Sequence, residues 1–125
     1  MTKVISEILF PQILERFRPY GAHIESGGWT VIIPAKSPDF GDLIIQDDVS
    51  VITFFVGRFT HFHIYCDEEE EIIASRVVDF IQQVLADEIV AWGSHQGCGG
   101  WHKRKPRRGF FSRLRSEYVW SGKLD

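Results

Sequence analysis

The sequence predicts an α+β fold: an antiparallel β-meander of about five strands (plus a C-terminal strand) packed against a long amphipathic helix, with a short N-terminal helix. Three observations predict it. Residues 49–66, the most apolar part of the chain, read as a β-hairpin closed at Gly57-Arg58. Upstream, strand-like runs at 22–25, 29–34 and 42–46 are separated by turn formers. Downstream, the spacing of apolar residues changes from the period of a strand to that of a helix.

Taken in order, residues 3–18 place Val4, Ile5, Ile8, Leu9, Ile13, Leu14 and Phe17 at helical spacing. Pro11 has no N–H and disfavours helical backbone at Phe10. The spacing therefore predicts two short helices broken near Phe10, or one helix that starts at Pro11. Pro19 and Gly21 end the segment. The first two strands flank Ser26-Gly27-Gly28, and KSPDFGD forms a loop before the strand at 42–46. Asp47-Asp48 then turns the chain into the hairpin.

Gly followed by one residue between two strands signals a two-residue type II′ turn. Such a turn sets Val56 opposite Phe59, Phe54 opposite His61 and Ile52 opposite His63. Alternation puts Ile52, Phe54, Val56, Phe59, His61, His63 and Tyr65 on one face. Val49, Val51, Thr53, Phe55, Thr60, Phe62, Ile64 and Cys66 take the other. Both faces are largely apolar, so the hairpin is expected at the centre of its sheet. One face should lie beneath a helix, the other partly covered or used for binding.

Asp67 is placed to cap a helix, with Glu70 at capping-box spacing and Glu68 to Glu71 near the positive end of its dipole. Ile72, Ile73, Val77, Phe80, Ile81, Val84, Leu85 and Ile89 form its apolar stripe, giving a helix of about residues 68–90. Four glycines between 93 and 100 predict an irregular segment, 103–108 an exposed loop, and 117–122 a last strand. No repeat or linker divides the chain, which reads as a single α+β domain over 1–125.

Aromatics make up 14% of the residues, which favours a β-rich domain or an aromatic surface. No apolar run is long enough to span a bilayer, and the N-terminus lacks a signal-peptide pattern. The expected compartment is the cytoplasm, with both cysteines as thiols. The net charge of −3 hides an asymmetry. Residues 103–115 hold seven bases and no acid, while the rest holds seven bases against seventeen acids, a balance of −10. This is an acidic body with a basic arm.

Four constellations bear on function. His61 and His63 share a strand face, and His95, Cys98 and His102 have ligand-like spacing, so together they suit zinc. Against that, Cys66 faces away from the two histidines and no Cys-x-x-Cys pair exists. No cofactor is therefore expected, with zinc as the alternative. Catalysis has no signature: Gly-x-Ser-x-Gly, phosphate loop, dinucleotide fingerprint and His-Glu-x-x-His are all missing. Cys98 beside a histidine, or His61 and His63 as acid and base, would be needed, and no catalytic residue is assigned.

The basic arm, with Lys103, Arg104, Lys105, Arg107 and Arg108 ahead of Phe110-Phe111, suits nucleic acid or an anionic membrane surface. Its plainer reading is a solvated loop paired with the acidic body. Lastly, Asp39, Asp42, Asp47 and Asp48 would steer a basic partner toward contacts at His61, His63, Tyr65 and Trp101. The plainer reading there is that the aromatics fill the core.

A small acidic domain without a catalytic signature fits a non-catalytic protein-binding module. Its most concrete form is an immunity-type bacterial protein that neutralises a toxin domain, an analogy of size and composition. The alternative is a nucleic-acid-binding or phosphoester-cleaving protein that uses residues 103–115 with His61 and His63. An exposed edge strand would also allow a homodimer.

Overall fold

The computed structural model describes residues 5–25, 27–93, 99–104 and 116–123. Helix α1 (Ile5–Arg16) and a 3-10 turn (Arg18–Tyr20) lead into β1 (His23–Ile24), β2 (Thr30–Ile33), β3 (Leu43–Asp47), β4 (Val51–Val56) and β5 (Thr60–Tyr65). Helix α2 (Glu70–Leu85) follows, then β6 (Ile89–Gly93), β7 (Gly99–Lys103), β8 (Ser116–Val119) and β9 (Gly122–Lys123). The first five strands form one antiparallel sheet in chain order. The other four form a second sheet in the order β7-β6-β8-β9. The α+β meander under a helix is thus present, at the five predicted places. Among the described residues, no helix is long and apolar enough to cross a membrane.

Helix α1 runs through Pro11 without the predicted break. Ile5, Leu9, Phe10 and Ile13 on its inner side are all buried. Their burial, at about 1.5–3 kcal/mol for each large side chain, outweighs one lost backbone bond. That bond would have joined Pro11 to Glu7, and both residues are exposed, so water can serve the orphaned carbonyl.

One face of the first sheet carries the ladders Val31–Ile45–Phe54–Phe62 and Ile33–Leu43–Val56–Thr60. It packs in a single apolar cluster with Ile5, Leu9, Ile13 and Phe17 from the N-terminal segment. Ile73, Val77, Ile81 and Val84 of α2 belong to the same cluster. Phe80 of α2 meets Phe54 and Phe62 edge-on, at 4.9 and 5.1 Å between ring centres.

The hairpin register differs from the predicted one by a single residue. Val56 pairs with Thr60, Phe55 with His61, Phe54 with Phe62, Thr53 with His63 and Ile52 with Ile64. The turn therefore has three residues, Gly57, Arg58 and Phe59. Its Arg58 N–H donates to Phe40 O at 2.8 Å, so the 37–41 loop takes the turn's backbone donor. Gly57 has φ +63, and a Cβ there would lie 2.2 Å from Phe40 O. Because side chains alternate, a slip of one residue exchanges faces along the whole of β5. Phe62 and Ile64 join Phe54 and Ile52 on the covered face, whereas His61, His63 and Tyr65 join Thr53, Phe55 and Val51. The prediction that Phe54 shares a face with the histidines is corrected, and Phe59 lies in the turn.

Helix α2 is also shorter than predicted at both ends. Glu69, not Asp67, occupies the N-cap and makes no side-chain cap bond, so the Asp67–Glu70 capping box does not form. At the other end Asp87 adopts φ +61. Glu88 N donates to Gln83 O and Asp87 N to Val84 O, the two bonds of a Schellman motif with Asp in the usual Gly position. The Asp87 carboxylate accepts from Ser121 N at 3.0 Å and Ser121 Oγ at 2.5 Å. That long-range tie ends the helix and frees Ile89 to begin β6.

Of the predicted irregular segment and loop, residues 93 and 99–103 are instead strand, in β6 and β7, while 94–98 and 105–108 lie outside the described residues. The glycines of the second sheet serve close packing: a Cβ on Gly93 would strike the Phe59 ring at 2.4 Å, and one on Gly100 the Trp92 ring at 2.6 Å. The predicted strand at 117–122 divides into β8 and β9.

Candidate functional site

The face of the first sheet turned away from the helices is built by three cross-strand rows. His23, Ile32, Ile44, Phe55 and His61 form one, in unbroken register across all five strands. Thr30, Gln46, Thr53 and His63 form the next. Val51 and Tyr65 form the third. His23, His61 and His63 are exposed, Ile32, Ile44 and Phe55 are half-buried, and Tyr65 is 66% exposed. No Lys or Arg belongs to these rows.

At one end of this face the β3–β4 turn adds a carboxylate. Asp47 is 4% exposed, and its oxygens accept from Ser6 N at 3.2 Å and Val49 N at 2.8 Å. The second bond helps to hold Val49 at φ +76, a rare conformation for a β-branched residue. Asp48, the next residue, is exposed. Its Oδ2 accepts from Thr53 Oγ1 at 2.5 Å and its Oδ1 from Gln46 Nε2 at 2.7 Å. The Thr53 bond first, then the Gln46 bond, hold the Asp48 carboxyl below its ordinary range, with a further contribution from His63.

The same Thr53 oxygen lies 3.1 Å from His63 Nδ1. An ionised Asp48 can only accept, so the single Thr53 hydroxyl proton points to it. Thr53 must then accept from His63 Nδ1. The His61 ring sits 5.4 Å from His63 at 75°, and 5.5 Å from Phe55 at 38°.

The remaining candidate residues lie elsewhere. Asp47, predicted to face a partner, is buried and bonded within the fold, a correction that follows from its role at the start of α1. Asp42 is exposed and accepts from Ala35 N at 2.7 Å; Asp39 is exposed, and its carbonyl accepts from Arg58 Nε at 2.9 Å. Trp101 packs on Phe62 and Phe80, on the covered side, at 5.4 and 4.8 Å. It belongs to the edge of the core and not to the histidine face. Lys103 and Arg104 are exposed on and just after β7, while Lys105, Arg107 and Arg108 lie outside the described residues.

For zinc, His95 and Cys98 lie outside the described residues. His102 approaches the Lys103 carbonyl through Nδ1 at 2.9 Å and the buried Glu117 carboxylate through Nε2 at 3.0 Å. Among the described residues no three His, Cys, Asp or Glu side chains are grouped to hold a metal. Burial, then the charges of Asp47, Asp67 and Glu70, push the Cys66 thiol above its ordinary range. At neutral pH it is a poor thiolate nucleophile or ligand.

Sequence reasoning missed Gln46, Thr53 and Phe55. The signal for them was the turn length: a three-residue turn at Gly57 assigns Thr53 and Phe55 to the histidine face at once. Comparison with protein-family models, with curated proteins and with solved structures gives no match to this chain.

Proposed function

We propose that this chain is a non-catalytic protein-binding module that acts in the cytoplasm and engages a basic protein through the open face of its first sheet. Its most concrete form is toxin neutralisation of the immunity type. The observation that carries the reading is the make-up of that face. Half-buried Ile32, Ile44 and Phe55 are flanked by exposed His61, His63 and Tyr65, with the Asp48 carboxylate at the rim. Aromatic and aliphatic anchors with a polar margin are what protein interfaces use, and tyrosine is enriched among their energetic centres. Asp39 and Asp42 add negative charge at the other end of β3, which favours encounter with a cationic surface.

Phosphoester cleavage by His61 and His63 is less well supported. The rows of the open face hold no Lys or Arg to receive a phosphate, and Asp48 would repel one.

The test is purification of the chain with its partner from the native cell. A stoichiometric basic protein should co-purify and be released by Phe55→Asp and by Tyr65→Ala without a change in the melting temperature of Tyr65→Ala. A partner retained by both variants would place the interface elsewhere. Hydrolysis of RNA by the purified chain, lost in His61→Ala or His63→Ala, would replace the reading with an enzyme.

A further inference from the structure

The hydrogen-bond polarity of the open face limits what can sit on it. At its β4–β5 end the exposed Asp48 carboxylate is an acceptor. Asp48 has two oxygens, each already taking one neutral bond, from Thr53 and from Gln46. A carboxylate has about four acceptor sites, so a pair remains open toward solvent. His63, bonded to Thr53 through Nδ1, adds an exposed imidazole ring. The same sheet face carries aromatic side chains: Phe55, whose ring centre is 5.5 Å from that of His61, and Tyr65, two residues beyond His63. Acceptors for a fork of donors, one full negative charge and flat π faces describe the complement of a guanidinium group. Arginine presents five N–H donors in a plane, bonds carboxylates in pairs and stacks on aromatic rings. An ammonium group matches the charge but not the plane.

We propose that the Asp48–Thr53–His63 network, with Phe55, His61 and Tyr65, is a binding site for an arginine side chain of the partner. The proposal rests on the protein-binding reading above and names the chemistry of its central contact. Each group then has a role. Asp48 supplies the charge, and Gln46 and Thr53 fix its orientation. Tyr65, paired with the Val51 whose carbonyl accepts from Asp48 N, receives the flat face of the guanidinium.

The experiment uses the full chain and small probes, so it does not depend on the partner's identity. Backbone amide shifts are followed by NMR while N-acetyl-arginine amide is added at low salt. N-acetyl-citrulline amide, which has the same shape without the charge, and N-acetyl-lysine amide serve as comparisons. Saturable shifts at Asp48, Thr53, Phe55 and His63 are expected with the arginine probe and not with citrulline. Asp48→Asn and the near-isosteric Thr53→Val should each weaken that binding by about tenfold, the scale of one hydrogen bond to a charged group. The proposal is overturned if arginine amide shifts nothing on this face, or if citrulline or lysine amide shifts it equally. It is also overturned if neither substitution changes the titration in a chain that keeps its wild-type spectrum elsewhere. Arginine binding without any protein partner would remove the reading of the previous section alone. A partner held by the open face without arginine binding would remove only this site.

Discussion

Val49 stands 72% exposed with φ +76 at the tip of the β3–β4 turn. The left-handed region costs a side chain with a Cβ about 1–2 kcal/mol, and a β-branched one is a poor occupant. The Asp47 carboxylate holds it there by accepting its N–H. Val49→Gly removes the strain without breaking that bond, and is expected to raise stability by about 1 kcal/mol, read from the midpoint of a urea transition. Its neighbour Asp48 gives a pH-dependent prediction. Hydrogen bonds from Thr53 and then Gln46 depress its folded-state pKa below the ordinary 3.8. Its contribution to stability is therefore present above that value and is lost as the pH falls through the lower, folded one. In Asp48→Asn the acid limb of stability against pH should be shallower below about pH 4, where chemical denaturation at several pH values resolves it.

The elements show which sequence signals travel well. The stripe of Ile73, Val77, Ile81 and Val84 identifies α2 because one strongly periodic face meets one apolar partner surface. The strands of the meander are legible because Gly, Pro and Asp mark their ends. Register is different, since it depends on where the turn's donors go, and Arg58 N–H goes to Phe40, eighteen positions back. The end of α2 likewise depends on Ser121 reaching Asp87. Nothing local distinguishes Gly93 and Gly100 as strand glycines until Phe59 and Trp92 are seen against them. The turn gives the prediction at this scale. In Gly57→Ala the new Cβ meets Phe40 O at 2.2 Å and the residue keeps φ +63. Backbone must move, and the expected loss is about 2 kcal/mol or more, measured by thermal or urea unfolding. Because the turn sets the register, the variant should also change amide shifts along β5.

Among the described residues, both helices pack on one side of the first sheet, and the other side carries exposed His61, His63 and Tyr65. The acidic balance outside residues 103–115 is plain in the sequence, as is the pairing of His61 with His63 on one face. The sequence does not reveal which side chains accompany them, because that follows from the register. Nor does it separate the two aspartates of the β3–β4 turn. Adjacent and identical in chemistry, Asp47 points inward to Ser6 and Val49, and Asp48 outward to Thr53 and Gln46.

That division has a mechanical consequence. Through Asp47, a single carboxylate clasps the first turn of α1 and the turn that displays Asp48. The beginning of the chain is thereby yoked to the rim of the open face, although the two lie 41 residues apart in sequence at their point of contact. Anything that pulls on the N-terminus, whether a fused tag, a trimmed end or a tether, will be felt at the place where a partner would first arrive.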